Sequence, residues 1–322
     1  MKKNIILGLL LAGVTQIAFG QVTDGEAKIR SQNVDSIQGW NKGGVIAISL
    51  AQTALINWAA GGQNSFATNG LVSVFANYRK GKSYWNNSLD IGYGLLKQGK
   101  GSDFMKTDDK FDFLSKYGQK ASGNLYYAAL VNFKTQMTVG KDYAKDTAKI
   151  SNLLAPAYFI GALGVDYKPN NYFSAFAAPL TGKITIVNDQ ELANAGAYGV
   201  TAATIDDMGR IIPGQRSKSE FGGYVRFIYS RSDFDSEVLR NVAFTSKLDL
   251  FSNYLRNPQN IDVSWETQIA LKVNQYISLN INAHLLYDDN IKSTEMINGV
   301  VVETGPKVQF KNILGVGFFY KI

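Results

Sequence analysis

The chain has no cysteine, one histidine and only six prolines in 322 residues. Without cysteine there is no disulfide, no thiol nucleophile and no acylated-cysteine anchor. One histidine and no thiolate also exclude the donor sets of structural zinc sites, so no metal and no cofactor is expected. Beyond the N-terminus no apolar run reaches about 18 residues, the length a membrane-spanning helix needs. The charge of +7 is scattered along the chain. It lacks the basic blocks of a nucleic-acid surface, and no nucleic-acid partner is expected.

What the chain does have is alternation. The last fifteen residues, VQFKNILGVGFFYKI, place Val308, Phe310, Leu314, Val316, Phe318, Tyr320 and Ile322 on one face of a strand. Gln309, Lys311, Ile313, Gly315, Gly317, Phe319 and Lys321 fall on the other, because successive strand side chains point to opposite sides. Strands of soluble proteins are usually about 5–6 residues long. A longer aromatic strand ending the chain fits a membrane barrel, whose strands need roughly 9–11 residues or more. Aromatic residues make up 12% of the chain and glycine is abundant, at 31 residues, which suits such strands.

Residues 1–20 read as a secretory signal. Lys2 and Lys3 supply the positive start, Ile5 to Val14 the apolar core, and Ala18-Phe19-Gly20 a small-x-small cleavage site before Gln21. Residues 21–42 are expected to be a periplasmic lead-in, and residues 43–322 the barrel. Candidate strands follow at 45–54, 71–79, 85–95, 110–119, 125–137, 158–167, 172–180, 221–231, 242–254, 261–273, 277–287 and 308–322. The clearest put Trp85, Leu89, Ile91, Tyr93 and Leu95 against Asn86, Ser88, Asp90, Gly92 and Gly94. Ile261 to Val273 and Ile277 to Tyr287 alternate in the same way.

These strands predict an all-β, transmembrane, antiparallel up-and-down barrel of about twelve strands, an even number as single-chain bacterial barrels have. The links alternate too. Short turns fall near Lys80–Lys82, Ala121–Gly123, Lys168–Asn171, Ser232–Ser236 and Asn274-Gln275. Long links fall at 57–69, 97–109, 139–156, 182–220, 253–260 and 288–307. Short periplasmic turns and long outer loops follow, with both termini in the periplasm. Tyr78, Trp85, Tyr127, Tyr167, Tyr229 and Tyr320 gather at the expected periplasmic rim, where an aromatic girdle belongs. The expected location is the Gram-negative outer membrane, with cleavage near Gly20/Gln21. Expected partners are outer-membrane lipid and lipopolysaccharide, and the barrel-assembly machinery through the C-terminal strand. The soluble alternative is a β-sandwich or a row of small β-domains.

Several stretches together resemble a family of outer-membrane proteins from Gram-negative Bacteroidetes catalogued as domain of unknown function 3078. They are Asn57 to Ser65 (NWAAGGQNS), Trp85 with Gly92-Tyr93-Gly94, Lys106 to Lys110 (KTDDK) and Phe133 to Gln136 (FKTQ). Ala155-Pro156-Ala157, Pro179 to Lys183 (PLTGK) and Leu250 to Val263 (LFSNYLRNPQNIDV) continue the likeness. It spans nearly all of the mature chain. It implies a barrel of the outer membrane and no chemistry, since the family has no assigned activity.

The inward positions carry charge of both signs: Asp90, Lys134, Arg226, Lys247, Asp249, Glu266, Lys272 and Lys311, with His284 among Asn280 and Asn282. They are the expected lumen lining, either as neighbours that satisfy one another or as a selective path for a solute. Known barrel lipases carry a serine two residues from the histidine on one strand face, and here that position is Leu286. No catalytic residue is therefore assigned. The acid pairs Asp108-Asp109, Asp206-Asp207 and Asp288-Asp289 read as solvated loop acids. The segment 182–220 is too long for a plain connection and reads equally as an inward plug or an outer lid. The function expected is a narrow channel or selective pore for a small polar solute. The alternative is a structural or partner-docking barrel, and the distant one a membrane-embedded hydrolase.

Overall fold

The computed structural model describes residues 38–56, 62–143, 148–272, 277–297 and 300–321. The expected signal and residues 21–37 of the lead-in lie outside them. Twelve strands form one antiparallel sheet: β1 (Gly39–Thr53), β2 (Ser65–Lys80), β3 (Ser83–Gln98), β4 (Met105–Ser122), β5 (Leu125–Thr135) and β6 (Ala157–Tyr167). They continue as β7 (Phe173–Ile186), β8 (Ser217–Arg231), β9 (Val242–Asn253), β10 (Ile261–Lys272), β11 (Ile277–Tyr287) and β12 (Gln309–Lys321). Each strand pairs with the next in sequence, and β12 returns to β1 through Val45–Lys321, Ile46–Tyr320 and Ala47–Phe319, which closes the sheet.

The alternation read from the sequence is an alternation of burial. Along β9, Ala243, Thr245, Lys247, Asp249 and Phe251 are buried, and the residues between them are not. The sense of burial is inverted relative to a water-soluble protein. Lys168 and Lys247 are among the largest fully buried side chains, whereas Trp85, Tyr127, Leu163, Trp265 and Phe310 are exposed. Charged side chains are almost never fully buried unless paired, and soluble monomers rarely expose such a continuous apolar wall. Polar atoms on that wall are paired locally. Trp85 Nε1 donates to Ser115 Oγ and Trp265 Nε1 to Ser246 Oγ, both at 2.9 Å.

At the end with the short turns the outward aromatics touch. The Trp40 ring lies 5.1 Å from Tyr78 and 5.8 Å from Trp85. Gly81 and Gly123 adopt positive φ there, which lets β2 turn into β3 and β4 into β5 within a few residues.

Several boundaries differ from expectation. β1 begins at Gly39, inside the expected lead-in, and β2 at Ser65. β4 begins at Met105, so Asp108 and Asp109 belong to a strand rather than a loop. The segment expected to be a link from 182 is shorter, because β7 runs on to Ile186 past a bulge at Pro179-Leu180. Proline has no N–H for the ladder, and a bulge is where a strand tolerates it. The one extra residue flips the phase, so Thr181, Lys183 and Thr185 are buried after the bulge, where Ser174, Phe176 and Ala178 were before it.

The inner face is not uniformly polar. Ala128, Leu130, Ala162, Phe176, Ala178, Tyr224 and Phe251 form a buried apolar cluster on the lumen side of β5 to β9. Side chains from facing walls fill that part of the interior.

Candidate functional site

At the short-turn end the lumen is occupied by a hub centred on Asp166. The hydroxyl of Tyr84 and Ser174 Oγ (2.8 Å) donate to its carboxylate. Lys116 Nζ stands at 2.7 Å and Lys168 Nζ at 3.5 Å. The Lys168 ammonium also lies 3.7 Å from the centroid of the Tyr84 ring. Tyr84 is on β3, Lys116 on β4 and Asp166 on β6, so the hub ties strands that are not neighbours in the sheet. It fits because position 118 is glycine: any side chain there would run into the Tyr84 ring. Gly118→Val is expected to loosen this end, and exchange of the Tyr84 hydroxyl proton with water should quicken.

Toward the long-loop end the lumen opens into a cavity of about 490 Å³. Ion pairs cross it. Lys134 on β5 stands 3.7 Å from Asp112 on β4 and 3.9 Å from Asp249 on β9. Lys110 on β4 stands 3.8 Å from Glu266 on β10, and Lys311 on β12 stands 3.3 Å from Asp108 on β4. Behind this belt, Lys247 binds Glu266 at 2.8 Å and Arg226 binds Asp249 at 3.0 Å. Near the rim Lys183 gathers three carboxylates, Asp262 at 2.7 Å, Asp288 at 3.6 Å and Glu220 at 3.7 Å.

The structure therefore brings together Lys134, Arg226, Lys247, Asp249, Glu266, His284 and Lys311 of the residues expected in the lumen. Asp90 is inward and buried on β3, where Ser73 Oγ donates to it, away from the cavity wall. Lys272 lies at the end of β10, opposite Ser278, and its side chain is outside the described ones.

His284 faces the cavity, and its Nε2 lies 3.0 Å from Ser264 Oγ on the neighbouring strand. A serine–histidine pair is two parts of an acyl-transfer triad, and the third must orient the histidine. The carboxylate directly across the ladder from His284 is Glu266, and Lys247 holds it.

Above the rim, residues 187–216 fold on themselves. Val187, Leu192, Ala193 and Val200 pack with Ala155 of the link before β6. None of residues 187–216 lines the cavity, so this segment is a lid over the loops and not a plug. A short helix, α1 (Gln190–Asn194), starts at Asp189, whose carboxylate accepts from Glu191 N at 3.1 Å and Leu192 N at 3.2 Å. Lys149 Nζ and Asn152 Nδ2 reach the same carboxylate at 2.8 and 2.9 Å. The Lys149 bond comes first among the causes that hold the Asp189 pKa down at about 2. A carboxyl depressed in the folded state stabilises it above its unfolded value, about 3.9, and that stabilisation disappears as pH falls toward 2. Asp189→Ala is expected to cost about 1 kcal/mol of local stability at neutral pH. Cleavage by a protease within 187–216 should quicken accordingly, and the difference from the parent should shrink as pH falls from about 4 through 2.

Asp108 and Asp109 are not solvated loop acids. Asp109 is bound by Lys106 at 2.8 Å and by the backbone N–H groups of Met137 and Thr138. Asp288 faces Lys183, and Asp289 accepts from Asn260. Asp206 closes its own tight turn by accepting from Met208 N and Arg210 N. Five of the seven stretches that carry the resemblance meet at the cavity. Asp108 to Lys110, Lys134 to Gln136, Pro156, Lys183 and Asp262 all line it.

Residues 50–140 match the family model described as "Protein of unknown function (DUF3078)", the family that the sequence resembles. The match runs from the end of β1 to just past β5, so the resembling stretches at Ala155, Pro179 and Leu250 lie outside it. No curated protein matches the sequence. Among solved structures, the chain is similar to an outer membrane channel from Pseudomonas putida F1, at 9% identity and TM-score 0.39, covering 89% of this chain and 97% of that one. It is also similar to the translocator domain of the autotransporter NalP from Neisseria meningitidis, at 10% identity and TM-score 0.38, covering 92% and 93%. The TodX monoaromatic hydrocarbon channel is 9% identical at TM-score 0.29, covering 91% and 92%.

Proposed function

We propose that this chain is a twelve-stranded outer-membrane barrel that takes a small polar solute into its lumen and passes it along a narrow, charged path. The observation that carries this reading is the cavity of about 490 Å³, walled by ion pairs that reach from one side of the barrel to the other. Its volume falls within the range of small-molecule sites. A lumen lined with both signs can select among solutes, as rings of charge do in pores. The apolar outer wall supports burial in lipid, where every backbone N–H and C=O must find a partner within the sheet. In this reading the short turns and the aromatic contacts of Trp40, Tyr78 and Trp85 face the periplasm. The lid faces outward, and β12 is the strand that the assembly machinery would recognise.

Passage is tested by reconstituting the purified chain in a planar bilayer. Small stepwise currents are expected, because the Asp166 hub narrows the short-turn end. A bilayer that stays silent at every voltage contradicts the reading. The second reading, a barrel that docks a partner, is favoured by one observation. The hairpin of Thr204-Ile205 and Ile211-Ile212 leaves Ile205, Met208, Ile211 and Ile212 exposed at the top of the lid. A silent bilayer together with a partner lost on deletion of 204–212 would favour it.

A further inference from the structure

The wall of the cavity carries more carboxylates than lysines, yet in the belt that crosses it Lys134, Lys110 and Lys311 are more exposed than the carboxylates they face, while Lys183 at the rim is enclosed by its own three. Asp249 is engaged by Arg226 at 3.0 Å and Tyr224 at 2.7 Å, Glu266 by Lys247 at 2.8 Å, and Asp112 by Asn132 at 2.7 Å. These partners come from the wall itself, and the carboxylates are correspondingly withdrawn. The Asp112, Asp249 and Glu266 side chains are 6, 10 and 13% exposed. Lys134, Lys110 and Lys311 in the same belt are 29, 32 and 52% exposed.

The pairing of Lys134 is also long, at 3.7 and 3.9 Å from its two carboxylates. A charge-assisted N–H···O bond is about 2.7–2.9 Å long. An incoming carboxylate at that distance would make a shorter contact than Lys134 now has with Asp112 or Asp249. Beside the belt the wall turns apolar, with Tyr158, Ile160, Tyr224 and Phe251 facing the same space.

The geometry points to a small organic anion as the solute: a carboxylate taken by Lys134, Lys110 and Lys311, with an apolar body laid against Tyr158, Ile160 and Phe251. This rests on the reading of the cavity as a solute site, and deepens it by naming the charge and character of what enters. Lys134 holds the centre, because it alone of the three faces two belt carboxylates, Asp112 on the neighbouring strand and Asp249 across the lumen. Binding does not require that the short-turn end be open, so affinity and passage can be measured apart.

Benzoate and benzylammonium serve as probes, since they share a body and differ in the sign of the head group. Each is titrated by calorimetry into the full-length chain in detergent. Benzoate is expected to bind at least about tenfold more tightly than benzylammonium, the difference one good charge-assisted contact makes. Lys134→Met should weaken benzoate by a similar factor, and Lys134→Glu should reverse the preference. Retention of β-sheet circular dichroism shows that each variant is folded. If Lys134→Met does not fold, the parent's preference and its decline with added chloride decide the matter. No benzoate binding, tighter benzylammonium binding, or unchanged affinity in folded Lys134→Met overturns the inference. Failure of the passage reading would show instead as benzoate binding without any current.

Discussion

Asp166→Asn is expected to lower stability by about 3–5 kcal/mol, the loss that follows when one member of a buried ion cluster is removed. The carboxylate is fully buried, and Lys116 and Lys168 beside it are 4% and 1% exposed. Without it, two ammonium groups remain in a space that water does not reach, next to the Tyr84 ring. Desolvated charges of one sign without a counter-ion account for the size of the loss. Urea unfolding from lipid vesicles, followed by tryptophan emission, measures it. The companion variant, Asp166→Leu with Lys116→Met and Lys168→Met, should recover most of the stability, because apolar groups of similar volume often replace a buried ion cluster without cost. Larger currents from the Asp166→Asn barrel would also be expected, since the hub is what narrows that end. A stability change below about 1 kcal/mol would show that water reaches the hub in the folded protein.

Leu163→Arg is the second large effect. Leu163 is 57% exposed, between Ala129 of β5 and Leu180 of β7 on the outer wall. It lies four residues inside the Tyr167 end of β6, or about 13 Å along a strand. If the outer wall is buried in lipid as proposed, that depth falls inside the apolar band, where an arginine near the midplane costs about 2–4 kcal/mol. On a water-soluble protein the same substitution at an exposed position would fall within about 0.5 kcal/mol. The two outcomes are far enough apart for one unfolding series in vesicles to separate them.

The strand pattern was legible because the period of two survives wherever one wall is apolar and exposed and the other is a charged lumen. β9, β10 and β11 show this best, and their inward Lys247, Asp249, Glu266 and His284 were named from parity alone. Lys183 was missed because the Pro179-Leu180 bulge reverses parity, so a strict alternation ends one strand there and hands Lys183 to a loop. The hub was missed for a different reason. Tyr84 stood just outside the expected strand, although Trp85 pointing outward already requires Tyr84 to point inward. Asp166 belongs to a strand in which Ile160 and Ala162 are also inward, so apolar residues fall on both faces and alternation gives no sense of direction. The same ambiguity hid the apolar cluster of Leu130, Phe176 and Phe251. Asp108 and Asp109 were read as loop acids because adjacent acids usually seek water. Here Lys106 and the backbone of Met137 and Thr138 supply to Asp109 what water would, and Lys311 with the Asp109 N–H does so for Asp108.

The central claim is that the apolar wall touches lipid, and tryptophan quenching by brominated acyl chains tests it most directly. Trp265 lies seven residues from the short-turn end of β10, and Trp85 only two from that end of β3. With Trp58 replaced by Phe and single-tryptophan variants in vesicles, bromines near the bilayer centre should quench Trp265 strongly and Trp85 weakly. Bromines near the headgroups should reverse that order. Emission indifferent to bromine at every depth, from a chain that stays monodisperse in water without detergent, would contradict the account.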